Sequence, residues 1–127
     1  MTTSAFNGDA AALVRPEHVH RLTYTDPAIF AAEQERIFGR LWLYVAHESQ
    51  LKKPGDFVRA RMGTLEVVVT RHTDGAVHVL HNKCPHRGAR LCMADHGNSR
   101  VLSCPYHAWT FRSDGTLASV PHSQSYP

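Results

Sequence analysis

The sequence predicts an all-β domain preceded by one helix, with the strands arranged as a small antiparallel sandwich or barrel. Three observations carry this. Apolar residues recur with period two from Trp42 onward. The dipeptides Pro54-Gly55, Asp74-Gly75 and Asp114-Gly115 punctuate that stretch as turns. The segments between them are short and regularly spaced. Short strands separated by such turn signals build small antiparallel architectures.

In chain order, residues 1–25 read as an N-terminal arm whose first 15 or so residues are Ala-, Ser- and Thr-rich and lack periodicity. A helix is expected next. Asp26 is its N-cap, Pro27 stands at the first helical position, where a missing N–H costs nothing, and Ala28 to Phe38 is rich in helix formers. Phe30, Ile37 and Leu41 make its apolar stripe, with Phe38 beside it, and Gly39 is its stop. Leu41 to Val45 is a candidate strand, with Trp42 packed in the core. Asp56 to Met62 alternates, Val58, Ala60 and Met62 sharing one face. Leu65, Val67 and Val69 mark the next strand, and Ala76 to His81 follows the Asp74-Gly75 hairpin turn. Arg100 to Ser103, Trp109 to Arg112 and Thr116 to Val120 complete the set, the last two joined at Asp114-Gly115. Pro121 to Pro127 reads as a turn-like tail.

Composition narrows the function. A chain of 127 residues is one domain by the usual size relation, and 43% hydrophobic with 20% charged residues excludes a disordered or collagen-like chain. No apolar run approaches the roughly 18 residues of a membrane span. Met1 to Ala12 has neither a basic start nor a long apolar stretch, so no secretory signal is read and a cytoplasmic location is expected. A net charge of +3 without a dense basic run excludes nucleic acid as the expected partner. Ten histidines and an odd number of cysteines, three, point away from a disulfide framework and towards a metal site or redox chemistry.

Two boxes carry that chemistry: Cys84-Pro85-His86-Arg87-Gly88 and Cys104-Pro105-Tyr106-His107, giving C-x-H-x17-C-x2-H, each in a predicted loop between strands. Two thiolates and two imidazoles suit zinc or an iron–sulfur cluster. Structural zinc sites group like ligands within a box, whereas each box here mixes one Cys with one His. That pattern suits a 2Fe–2S cluster with both cysteines on one iron and both histidines on the other, each loop giving one ligand to each iron. Neutral imidazoles in place of two thiolates leave the oxidised cluster formally neutral and raise its potential.

The two boxes resemble those of Rieske proteins. The wider set Glu35-Arg36-Ile37-Phe38, Trp42, His47-Glu48-Ser49, Pro54-Gly55-Asp56, His81-Asn82-Lys83 before the first box, and Ala108-Trp109 after the second, resembles the N-terminal part of ring-hydroxylating oxygenase large (alpha) subunits, from about Pro27 to Val120. Rieske proteins of cytochrome bc complexes carry an extra cysteine in each box; here Ala89 and Tyr106 stand there, and Cys92 is a lone spare. The resemblance implies a Rieske-type fold with a cluster-binding loop subdomain over 26–127, and Cys84, His86, Cys104 and His107 as cluster ligands. It implies one-electron relay from a ferredoxin or flavin reductase to a mononuclear Fe(II) in a catalytic domain, held in a neighbouring subunit, with a possible small beta subunit. The reaction served would be dioxygen-dependent hydroxylation in aromatic hydrocarbon catabolism.

The family's D-x2-H-x4-H iron motif is not readable here. The one H-x4-H is His81 with His86, the residue three before His81 is His78, and His86 already belongs to the first box. No catalytic residue is therefore assigned, and the chain alone is expected to lack oxygenase activity. Two other classes stay open: a free-standing Rieske-type ferredoxin and a structural zinc module. His47, His78 and His81 read as ordinary histidines, and His18, His20, His72, His96 and His122 receive no role. Lys83, Arg87 and Arg90 are either solvated charge or a basic surface for an acidic electron donor. Trp109 reads as core, or as part of a docking face.

Overall fold

The computed structural model describes Phe6 and residues 8–125, and the chain divides into two compact units, Met1–Leu43 and Tyr44–Pro127. The expectations for residues 1–5, 7 and 126–127 lie outside the described residues.

In the first unit, part of what the sequence suggested was loose is ordered. A 3-10 turn over Ala11–Leu13 leads into β1 (Val14–Arg15), which pairs with β2 (His18–Val19). A single helical turn, α1 (Leu22–Thr25), precedes α2 (Pro27–Glu33). The predicted cap is present: the Asp26 side chain accepts from the Ala28 N–H at 2.8 Å, and Pro27 occupies the first turn. The expected helix does not stay α-helical to Phe38. Gln34–Phe38 widens into a π-turn, with the Gly39 N–H donating to the Gln34 carbonyl at 2.9 Å, and the helix ends at Gly39. The wider turn breaks the 3.6-residue period on which the predicted stripe rested. Ile29 is the buried residue, while Phe30, Ile37, Phe38 and Leu41 are exposed.

A second correction concerns Leu41 to Val45. This segment is irregular, because no neighbouring strand pairs with it among the described residues, and Trp42 is fully exposed instead of packed in the core.

The second unit holds the sheets. β3 (Asp56–Met62), β4 (Leu65–Arg71), β5 (Val77–His81) and β6 (His96–Asn98) form an antiparallel sheet in the order β5-β4-β3-β6. β7 (Val101–Ser103), β8 (Thr110–Arg112) and β9 (Leu117–Ser119) form a second, antiparallel throughout. The turns at Asp74-Gly75 and Asp114-Gly115 close their hairpins through Asx bonds: Asp74 Oδ1 accepts from Ala76 N–H and Asp114 Oδ1 from Thr116 N–H, both at 2.9 Å. β6 lacks a sequence signal, since His-Gly-Asn is poor strand material. Its position is set by pairing with β3, where Gly97 lies opposite Phe57; a Cβ at Gly97 would come within 2.9 Å of the Phe57 ring.

The core of this unit has two parts. Phe57, Val68, Cys92 and Leu102 form one. Cys84, Cys104 and Phe111 form the other, with Ala89 and Trp109 packed against it, and Leu91 touches both. The spare Cys92 is buried there as a small apolar residue, its thiol bonded to the Ala94 carbonyl at 3.4 Å.

Candidate metal centre

The first box lies in the connection after β5, and the second between β7 and β8. Both loops use the same backbone construction. In the first, the Cys84 N–H donates to the Ala89 carbonyl at 2.7 Å and the Gly88 N–H to the Cys84 carbonyl at 2.9 Å. In the second, the Cys104 N–H donates to the Trp109 carbonyl at 2.8 Å and the Ala108 N–H to the Cys104 carbonyl at 3.0 Å. Each cysteine is thus bonded to the fourth and fifth residues after it. A proline follows each, and the fourth residue has positive φ, +73° at Gly88 and +56° at Ala108. Glycine enters this region freely; alanine pays for its Cβ.

This turn aims backbone N–H groups at sulfur. The His86 and Arg87 N–H groups point to the Cys84 thiol, and those of Tyr106 and His107 to the Cys104 thiol. Cys84 and Cys104 are 1% and 4% exposed and in side-chain contact with each other, with no disulfide. Burial raises the Cys84 thiol above its ordinary value, the N–H groups oppose this, and the Cys104 thiol adds to the rise. At Cys104 burial also raises the thiol, but the two N–H groups and the Cys84 thiol outweigh it and leave it below its ordinary value. The pair therefore gives up a first proton more readily than a second.

The imidazoles gather outside the thiols. His86 and His107 are both half-buried, their ring centroids 4.8 Å apart. His107 titrates below its ordinary value through desolvation, then the charges of His86 and Arg87, which favours the neutral form that binds metal. Trp109 stacks on His86, with centroids 4.9 Å apart and planes within 3°, and Tyr106 stacks on His107 at 3.8 Å and 29°. The four residues singled out from sequence are thus brought together and sorted by type, thiols within and imidazoles without. Among the described residues, no three His, Cys, Asp or Glu side chains converge on one point. Two thiols in contact and two imidazoles in contact make two donor pairs, a set that fits a two-iron cluster.

The sequence matches the Rieske 2Fe-2S domain over residues 41–127. The chain belongs to the Rieske family. Its cofactor is the 2Fe–2S cluster of that family, and its role is electron transfer. The chain is 45% identical over 105 residues to the chlorobenzene dioxygenase subunit alpha of Cupriavidus sp. strain PS12, and 47% identical over 105 residues to the biphenyl 2,3-dioxygenase subunit alpha of Rhodococcus jostii strain RHA1. In both comparisons 82% of this chain and 23% of the relative are covered, so the chain spans about a quarter of their length. The naphthalene 1,2-dioxygenase from Rhodococcus sp. has the same fold, with a TM-score of 0.83 and 33% identity, covering 92% of this chain and 27% of that one. The first two relatives are dioxygenase alpha subunits rather than free ferredoxins.

One support of the site had no role readable from the sequence. Asn82, buried at 4% exposure, bonds both ways to Cys92: its Nδ2 donates to the Cys92 carbonyl at 2.8 Å and its Oδ1 accepts from the Cys92 N–H at 2.7 Å. That clamp closes the base of the loop bearing the first box. Of the three basic residues, Arg90 is engaged by Glu66 through two bonds of 2.8 and 2.9 Å, while Lys83 and Arg87 are exposed. His47 caps the 3-10 turn Glu48–Gln50, its Nδ1 accepting from the Ser49 N–H at 3.2 Å, and lies outside the box loops.

Proposed function

We propose that Cys84 and Cys104 bind one iron of the cluster and His86 and His107 the other, and that this domain serves the alpha subunit of an aromatic ring-hydroxylating dioxygenase. The observation that carries the ligand assignment is the sorting of donors, a buried thiol pair enclosed by paired N–H groups with an imidazole pair beside it. Bound there, the cluster supplies storage of a single electron. The chain's own residues do the rest. The four N–H groups stabilise negative charge on the sulfurs, burial of Cys84 and Cys104 keeps water from them, and the half-buried imidazoles face the side from which electrons come and go. The relatives' names support an aromatic substrate. The donor would be a ferredoxin or flavin reductase, as the family resemblance implies, with exposed Lys83 and Arg87 attracting an acidic face on it. The acceptor would be a mononuclear Fe(II) in an oxygenase catalytic domain of a neighbouring subunit, with a small beta subunit in the assembly. No helix among the described residues is long and apolar enough to cross a membrane, and a cytoplasmic location fits that.

Anaerobic purification followed by iron and acid-labile sulfide analysis tests the assignment, with EPR of the dithionite-reduced protein. Two irons and two sulfides per chain are expected, with a rhombic signal of low average g. His107→Ala should lose the cluster and His47→Ala should keep it. Equal iron in both variants would overturn the ligand set, and one zinc per chain would overturn the cluster.

A further inference from the structure

Stacking of Trp109 on His86 crosses between the two loops. His86 belongs to the first box, and Trp109 is the fifth residue after the cysteine of the second. In the first loop that fifth position is Ala89, which has no ring to offer in return. His107 is covered differently, by Tyr106 from its own loop. The near-parallel planes of Trp109 and His86, 4.9 Å between centroids, make an offset stack that restricts rotation of the imidazole about its side-chain bonds. Trp109 is itself fixed: its carbonyl accepts the Cys104 N–H at 2.8 Å, and its side chain packs against the core of Cys84, Cys104 and Phe111.

We propose that Trp109 is a positioning residue for His86, a brace from the second loop that fixes the orientation of the first loop's imidazole. Its role rests on the ligand set proposed above. His86 follows Cys84 by two residues, His107 follows Cys104 by three, and so the two imidazoles leave equivalent backbones from unequal positions. The shared turn therefore cannot orient both rings alike, and each needs its own support. Tyr106 supports His107 locally. No residue within Cys84–Ala89 has an aromatic ring other than His86 itself, so its support comes across the gap. With the brace in place the imidazole lone pair keeps one direction relative to the thiols. Without it the ring samples other rotamers, which weakens its hold on iron and spreads the geometries at that iron.

The test uses Trp109→Ala, Trp109→Phe and, as a control for core damage, Val68→Ala, which loosens the adjoining core of Phe57, Cys92 and Leu102, a cluster that contains none of the four candidate ligands. Each is measured, with the wild type, for iron and sulfide content, reduced EPR line shape and the rate of iron loss to a chelator; thermal unfolding reports folding. Trp109→Ala is expected to broaden the EPR signal and to lose iron about two- to tenfold faster, the range that aromatic pairing energies give. Trp109→Phe should restore a rate close to wild type. Val68→Ala should lower thermal stability and leave the line shape unchanged. A wild-type line shape and chelation rate in Trp109→Ala would overturn the brace, as would equal broadening in Val68→Ala. Should Trp109→Ala fail to fold, Trp109→Leu takes its place, keeping apolar bulk without the aromatic face, and a wild-type line shape and chelation rate in it overturn the brace. A wild-type protein without a 2Fe–2S cluster would instead overturn the site reading.

Discussion

Ala108 is held in a conformation that its side chain resists. It sits where the first loop has Gly88, with φ of +56° and a Cβ that the left-handed region penalises. Ala108→Gly relieves that penalty and adds freedom to the unfolded chain, which offsets part of the gain. The net expectation is a stabilisation of about 0.5–1 kcal/mol, read as a higher urea midpoint, with an unchanged cluster spectrum. Asn82 is the opposite case, a polar side chain whose removal exposes what it satisfied. Asn82→Ala leaves the N–H and carbonyl of buried Cys92 without their partners, and a loss of about 2–3 kcal/mol in chemical denaturation is expected. The candidate ligands Cys84, His86, Cys104 and His107 could be named from sequence because chemistry restricts which side chains bind iron. Asn82 stood in the quoted resemblance, but its role could not be read, because its partner, ten positions away, is a main chain with no sequence signature.

At the level of elements, signals that arise within a few residues held. Asp26 and Pro27 start α2, and Asp74-Gly75 and Asp114-Gly115 turn their hairpins, because a cap or turn is settled by its own side chains. The period-two segments also formed their strands, and the misses were two places where only a neighbour decides. β6 exists because β3 offers it an edge, and Leu41 to Val45 is no strand because nothing pairs with it. The π-turn at Gln34–Phe38 was hidden for another reason, since good helix formers favour helix without specifying its width. The 3-10 turn after His47 carries a testable consequence. His47 and Gln50 form a capping box, the Gln50 Oε1 accepting from the His47 N–H at 2.8 Å. His47→Ala should cost about 1 kcal/mol in thermal unfolding while its iron content stays at the wild-type level.

The whole domain has an acid weakness set by two carboxylates. Asp56 lies below its ordinary value of 3.8 chiefly through the Asn98 side chain, and Asp114 does so chiefly through the Thr116 side chain. Both are held more tightly ionised in the folded state, so the unfolded chain binds more protons in acid. Their contribution is complete above the ordinary carboxylate range and disappears as pH falls through the lowered values. Asp56→Asn and Asp114→Asn should flatten the acid limb of a stability profile, with the change confined to pH below about 5. The activity of the chain on its own follows from its motifs. The cluster boxes are present and D-x2-H-x4-H is not. Mixed with a reductase, dioxygen and an aromatic substrate panel, these 127 residues are expected to take up electrons and yield no hydroxylated product by mass spectrometry.

The two box loops repeat one backbone with the histidine displaced by a single position. Laid one upon the other, they would place His86 on Tyr106 and Arg87 on His107. Main-chain likeness is therefore blind to the identity of the metal donors: a chain could share every turn and bond of this scaffold and still present a phenol where an imidazole is required. The fold supplies the socket, and two side-chain letters decide which plug it accepts.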